Sequence, residues 1–267
     1  MGRVRDLARY SATRLGLAPV MLWLIATLVF LLLRVAPGDP VDAVLGSRAP
    51  AAAKEAMRAR LGLDQSLLDQ YLQYLNGLVH GDLGQALINQ EPVRTIINRT
   101  LPASLELSVI ALIAAAVLGL SIGFSGIARP EGKLDLSGRI YGLGTYALPP
   151  FWVAMMVQLV FAVSLGWLPV GGRFPPSLLP PEGSGFFLLD SLRQGDWQAL
   201  QGTIRHLILP ASTLALLLSG SFTTALRLNL RRTLRGDYVE AARSRGLSER
   251  QVILRHGLPN ALLPVLT

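Results

Sequence analysis

Apolar positions in this chain are grouped into long runs, separated by polar stretches rich in proline and glycine. The first run covers residues 15–35, the second 104–127, the third 140–165 and the fourth 206–226. Each is long enough to cross a bilayer as a helix, which takes roughly 20 residues. A fifth run opens at Leu258 and the sequence stops at Thr267, partway into it, so the pattern predicts a piece of a longer chain whose fifth span is only begun. The first run follows a short basic segment, residues 1–14, with Arg3, Arg5, Arg9 and Arg14. Its length, the closing Arg34 and the missing A-x-A site favour an uncleaved membrane helix over a signal peptide. Pro37-Gly38-Asp39-Pro40 predicts that this helix ends abruptly.

The intervals carry their own signals. Residues 36–103 are polar and mixed, with helices expected over Ala51–Arg60 and Ser66–Val79 and a turn at Gly81-Asp82-Leu83-Gly84. Pro92 to Arg99 reads as a short amphipathic helix at the membrane surface. In the second run Glu106 is expected to reach the interface, and Ala111, Ala114, Ala115, Gly119 and Gly123 suit close helix contacts in lipid. Pro149-Pro150 should kink or break the third run. Residues 166–205 are too polar to cross lipid and too irregular for one helix. The fourth run carries Ser212, Thr213, Ser219, Ser221, Thr223 and Thr224; helix packing is the first reading for these hydroxyls, and lining a pathway the second.

Composition turns these runs into a membrane protein. Half the residues are hydrophobic (51%), and the net charge of +8 is almost all arginine, with Lys54 and Lys133 the only lysines. In so apolar a chain, excess positive charge sets orientation more often than it binds nucleic acid. Placing the N-terminus in the cytoplasm puts the basic segments 1–14, 128–139 and 227–257 inside and the longer 36–103 and 166–205 outside. There is no cysteine, His80, His206 and His256 are scattered, and no phosphate loop occurs, so no cofactor, metal centre or ATPase site is expected in this chain.

One inside segment is more than a charge run. Asp237 reads as an N-cap with Glu240 three residues on, and Gly246 suits the left-handed residue after a helix end. Ser248 and Gln251 then form a capping box for a second helix. The result is a helix–glycine–helix elbow with Arg243, Arg245, Arg250 and Arg255 around it. Three readings compete: a loop whose charges hold topology, a helix-turn-helix for DNA, and a docking knob for a soluble partner. A DNA reader tied at both ends to membrane spans lacks its supporting third helix. A capped helix with the small Ala241 and Ala242 fits closely into a groove, and attachment to two spans lets a partner's motion enter the bilayer.

Glu240-Ala241-Ala242, followed by Gly246 and Leu258-Pro259, resembles the EAA loop of permeases of binding-protein-dependent ABC importers. Asp237 to Ser248 as a whole resembles the dipeptide/oligopeptide/nickel branch. So do Gly81 to Gly84 with Pro92-Val93, Leu105-Glu106-Leu107, Pro149 to Trp152, Gly166 to Pro169, His206 to Pro210, His256, Asn260-Ala261, Pro264 and Thr267. Pro259 stands where that branch usually has arginine. The resemblance implies an all-α, polytopic fold of the type I ABC importer membrane domain, with about six spans in the full chain and four to five begun here. It implies a permease subunit in the bacterial inner membrane, importing peptides, nickel complexes or similar chelates. Two ATP-hydrolysing subunits, a second permease, an external substrate-binding protein and membrane lipid are its implied partners, with no nucleic acid. Asp237, Tyr238, Glu240, Ala241, Ala242, Gly246, Leu247 and Ser248 are the implied coupling positions. The main alternative is an ion-coupled secondary transporter, although such transporters need ionisable groups at mid-membrane that these runs almost lack.

Overall fold

The computed structural model describes residues 2–35, 38–46, 48–86, 89–125 and 132–266, and all its named elements are helices. Pro37 and Thr267, singled out above, and residues 126–131, where the second run ends and the basic segment 128–139 begins, lie outside the described residues. The chain divides into two units, residues 1–98 and 99–267.

In the first unit α1 (Gly2–Val35) contains the first apolar run, and its span over Arg9–Arg34 has a mean hydropathy of 2.5. Most of its described side chains are exposed, as a helix turned to lipid requires. It is tied to α4 (Leu67–Val79) by Phe30, almost fully buried, which lies between Tyr71 and Tyr74, with ring centroids at 5.2 and 5.6 Å. Thr27 and Tyr71 share a hydrogen bond of 2.6 Å beside them. Asp39 caps α2 (Pro40–Leu45) by accepting from the Val41 N–H and also pairs with Arg58 of α3 (Ala51–Arg60). The Val41 hydrogen bond, and then Arg58, hold the Asp39 carboxyl below its ordinary value. The predicted glycine turn is present: Gly81 and Gly84 have φ of 76° and 75°, and Asp82 accepts from the Gly84 N–H.

The second unit is arranged around α9 (Trp197–Thr233), against which α6 (Lys133–Ala147), α7 (Pro150–Gln158), α8 (Phe187–Gln194) and α12 (Leu258–Leu266) all pack. The sequence placed the start of this span at His206; it begins at Trp197, where Asp196 caps it by accepting from the Ala199 N–H at 2.9 Å. It also runs on to Thr233, so Arg227, Arg231 and Arg232 belong to the helix and not to the loop after it.

The surface helix expected over Pro92 to Arg99 is instead the start of α5 (Val93–Ser125), which continues unbroken through Pro102. Without a hydrophobic drive between helices in lipid, small residues permit the close approach that dispersion requires. Thus Gly119 of α5 lies against the backbone of Ser219, and Thr223 donates to the Gly119 carbonyl at 3.0 Å. Gly142 leaves room for Thr224, and Gly220 for Thr145. The hydroxyls of α9 serve this packing: Ser212 and Thr213 donate to the Leu209 carbonyl, Thr223 to that of Ser219, and Tyr141 and Tyr146 bond Ser219 and Ser221.

The third run is bent, as Pro149-Pro150 predicted: α6 and α7 meet at 99°, with α7 closing in a π-helical turn over Leu159–Ser164. Pro149 and Pro150 explain the break: neither has an N–H for the helix ladder, and Pro149 disfavours helical backbone at Leu148, which is extended at ψ 127°. α6 also starts at Lys133, within the stretch read as a loop.

Glu106 meets the polar segment that follows the third run. It is buried, accepting from Arg173 at 2.9 Å and from the Leu188 N–H at 2.7 Å. Arg173 in turn donates to the Gly185 carbonyl and lies 3.8 Å over the Phe187 ring. Asp190 closes the same segment, accepting from Ser184 Oγ and the Gly185 N–H, both at 2.9 Å. The apparently irregular residues 166–196 are therefore folded onto α5 by charged hydrogen bonds.

Candidate functional site

The elbow begins where α9 stops. α10 (Asp237–Ser244) has Gly236, not Asp237, at its N-cap, and no side chain caps it. Asp237 and Glu240 instead occupy the first turn, where their charges favour the positive end of the helix dipole. Gly246 follows the helix with φ 80°, the left-handed conformation that costs a residue with Cβ. Its N–H bonds the Arg243 carbonyl at 2.9 Å and the Leu247 N–H bonds that of Ala242 at 3.4 Å, a Schellman closure. α11 (Glu249–Val252) then starts with the predicted capping box, Gln251 Oε1 accepting from the Ser248 N–H at 3.0 Å. A π-helical turn, Ile253–Gly257, carries the chain into α12.

The elbow has a distinct inside and outside. Val239, Ala242 and Val252 are buried together, with Leu247 and Leu234 packed on them. Asp237, Tyr238, Glu240, Ala241 and Ser248 face out. Ala242 thus belongs to the packing side, which corrects the expectation that both alanines are presented to a groove: in a helix, neighbours 239 and 242 share one face and 241 lies on another. Across the outer rim Arg243 grips Glu249 with two hydrogen bonds of 2.7 and 3.2 Å. That contact, outweighing the small effect of burial, holds the Glu249 carboxyl below its ordinary value and raises the Arg243 guanidinium.

Leu234 also packs against a second cluster, formed by Leu226, Leu230 and Ala261 with Leu258, Leu262 and Val265. One side chain therefore joins the elbow's core to the core shared by α9 and α12. Gly257 allows the approach, since a Cβ there would lie 2.9 Å from Leu234 and 3.0 Å from Leu230. The role of Leu234 was missed in the motif reading, although the four-residue spacing of Leu226, Leu230 and Leu234 is a visible signal of one helical face. Among the described residues, no group of His, Asp and Glu side chains has the arrangement of a metal site. The elbow has the means for recognition and mechanical linkage: a small outer helix with acidic and aromatic side chains, joined to α9 on one side and to α12 on the other.

Comparison with known proteins adds independent findings. Residues 115–267 match the family described as binding-protein-dependent transport system inner membrane component, and residues 7–108 match the N-terminal family of the same membrane components. The chain is 37% identical over 260 residues to the di/tripeptide transport system permease protein DppB of Pseudomonas aeruginosa, covering 97% of this chain and 77% of that protein. It is 36% identical over 244 residues to the probable D,D-dipeptide transport system permease protein DdpB of Escherichia coli, covering 91% and 72%. The oligopeptide transport system permease protein AppB of Bacillus subtilis is 31% identical over 262 residues, covering 98% and 77%.

Proposed function

From the premise that the chain belongs to the family of binding-protein-dependent transport system inner membrane components, we propose that it is the permease subunit of an ATP-driven importer of short peptides, and that α10 is the helix through which ATP hydrolysis moves it. The observation that carries the mechanical part is Leu234, shared between the elbow's core and the α9–α12 core. Close-packed interiors transmit displacement because their side chains have few alternative arrangements. A push on the outer face of α10, at Asp237, Tyr238, Glu240 and Ala241, would therefore turn α9 and the helices packed on it. Ala242, Gly246, Leu247 and Ser248 keep the elbow rigid enough to do so. The hydrolysing subunits seat against this outer face from the cytoplasm, a second permease completes the pathway, and a binding protein delivers substrate to segments 36–103 and 166–205. Peptides are favoured over chelates because the relatives described above are named for peptides.

The absence of cysteine makes the test direct. Ala241→Cys in native membranes, treated with a short bifunctional reagent, should give an adduct with an ATP-hydrolysing subunit, and adding Glu240→Ala should weaken it. Free labelling of the same cysteine by a soluble maleimide, with no protein adduct, would reduce the elbow to a topology loop. Uptake that survives loss of the ATPase would instead favour an ion-coupled transporter.

A further inference from the structure

A groove of about 270 Å³ lies between α6 and α9, lined by Gly138, Arg139, Leu143, Thr224, Leu228 and the two arginines Arg227 and Arg231. We propose that this groove binds an anionic phospholipid, with the phosphate held by Arg139 and Arg231 and an acyl chain laid along Leu143 and Leu228.

Three observations point there. First, the charge is unbalanced. Asp135, in the first turn of α6, pairs with Arg227, with Arg231 at 3.0 Å and with Arg139 at 3.5 Å. Among the described residues, one carboxylate thus sits at the focus of three guanidiniums. Asp135 is 3% exposed and Arg227 7%, while Arg231 and Arg139 are 49% and 48% exposed. The inner pair is held by the fold: Arg227 also donates to the Asp135 carbonyl at 2.8 Å, over a glycine, Gly138, that leaves space for it, while among the described residues its Nη1 has no partner. The two outer guanidiniums keep donors for a further anion, and a guanidinium offers its N–H groups in a fork that fits phosphate.

Second, the groove changes character along its length. From Gly138 to Leu143, the α6 residues that line it, the helix rises about 7.5 Å. Leu143, at the end away from the arginines, is 73% exposed, and Leu228, between Arg227 and Arg231 on α9, is 70% exposed, both among the most open leucines of the unit. A soluble anion would use only the charged end; a lipid uses both. Third, the site is at the end of a membrane span, where lipid phosphates lie, and basic pockets between such helices are a recurrent form of headgroup recognition.

Native mass spectrometry of the full-length permease in detergent tests this, using phosphatidylglycerol and phosphatidylcholine in equal amounts. Wild type should retain phosphatidylglycerol preferentially. Arg139→Gln with Arg231→Gln should lower that preference by about tenfold, given what basic side chains contribute near an anionic surface. Arg139→Lys with Arg231→Lys should keep most of it. Arg232→Gln with Arg235→Gln, which removes equal charge outside the groove, should leave it unchanged. Equal losses in the two glutamine pairs would assign the effect to diffuse charge and overturn the site. So would the absence of any preference in wild type. Displacement of the lipid by millimolar inorganic phosphate would assign the groove to a soluble anion and equally overturn the lipid.

Discussion

Leu234 has no polar atom and no motif identity, yet it connects the two clusters on which mechanical linkage depends. Truncating it leaves a void at their junction, with a stability cost of about 2 kcal/mol, the low end for a leucine that is only half-buried. Leu234→Ala should therefore leave an assembled, folded transporter whose ATP hydrolysis continues while peptide uptake per ATP falls severalfold. Parallel loss of hydrolysis and uptake would argue against a transmitting role. The electrostatic residues divide similarly by depth. Arg243 and Glu249 hold each other at the exposed rim, where a pair contributes little. Glu106 is almost fully buried while Arg173 is about a quarter exposed, so the carboxylate depends on Arg173 more than the guanidinium depends on it.

At the scale of elements, the packing of α5 on α9 relies on residues with almost no side chain. A Cβ at Gly119 would collide with the Ser219 carbonyl, and one at Gly123 would press on Leu226. Gly144, in contrast, has open space around it. Gly119→Val should lower the thermal midpoint in detergent by several degrees, as a clash between helix backbones demands, while Gly144→Val should leave it almost unchanged. The segment ahead of α9 responds to a different variable. Burial pushes the Asp190 carboxyl up, but hydrogen bonds from Ser184 and Gly185 and the Arg193 charge outweigh it and hold the group below its ordinary value. Its folded state thus binds a proton less readily than its unfolded state. The stabilisation is present above the ordinary carboxylate value of about 3.9 and is lost as pH falls through the lower, folded value. Limited proteolysis near Ser184 should accelerate on acidification through that range. Asp190→Asn should be cleaved faster at neutral pH and lose this pH response.

For the whole molecule, we propose an orientation from where the arginines gather. With the N-terminus cytoplasmic, the elbow, the start of α6 and the end of α9 would face the cytoplasm and residues 166–196 the other side. A membrane-impermeant thiol reagent should label Ser184→Cys in intact cells and Arg245→Cys only in inverted vesicles. The reverse pattern would invert the topology and place the elbow away from any cytoplasmic ATPase. The same orientation puts the arginine-lined groove in the cytoplasmic leaflet, close to the elbow that would move it.

Hydropathy by itself determined that this is an all-α membrane protein and where its apolar runs lie, because the cost of unsatisfied backbone in lipid leaves a long apolar run little choice but a helix. Local chemistry likewise determined the elbow's glycine exit and its second cap, since Gly246 and the Ser248–Gln251 box act within a few residues. Asp237 looked like a cap by the same logic, but Gly236 holds that position. What only the tertiary structure decided were the long-range pairings. Asp135 with Arg227 and Arg231, Glu106 with Arg173, and Leu234 between two cores join positions whose partners are set by how helices cross. The inward turn of Ala242 and the size of the third run's bend, 99°, belong with them. A sequence records which residues can pair or bend; the packing of α9 selects which of them do.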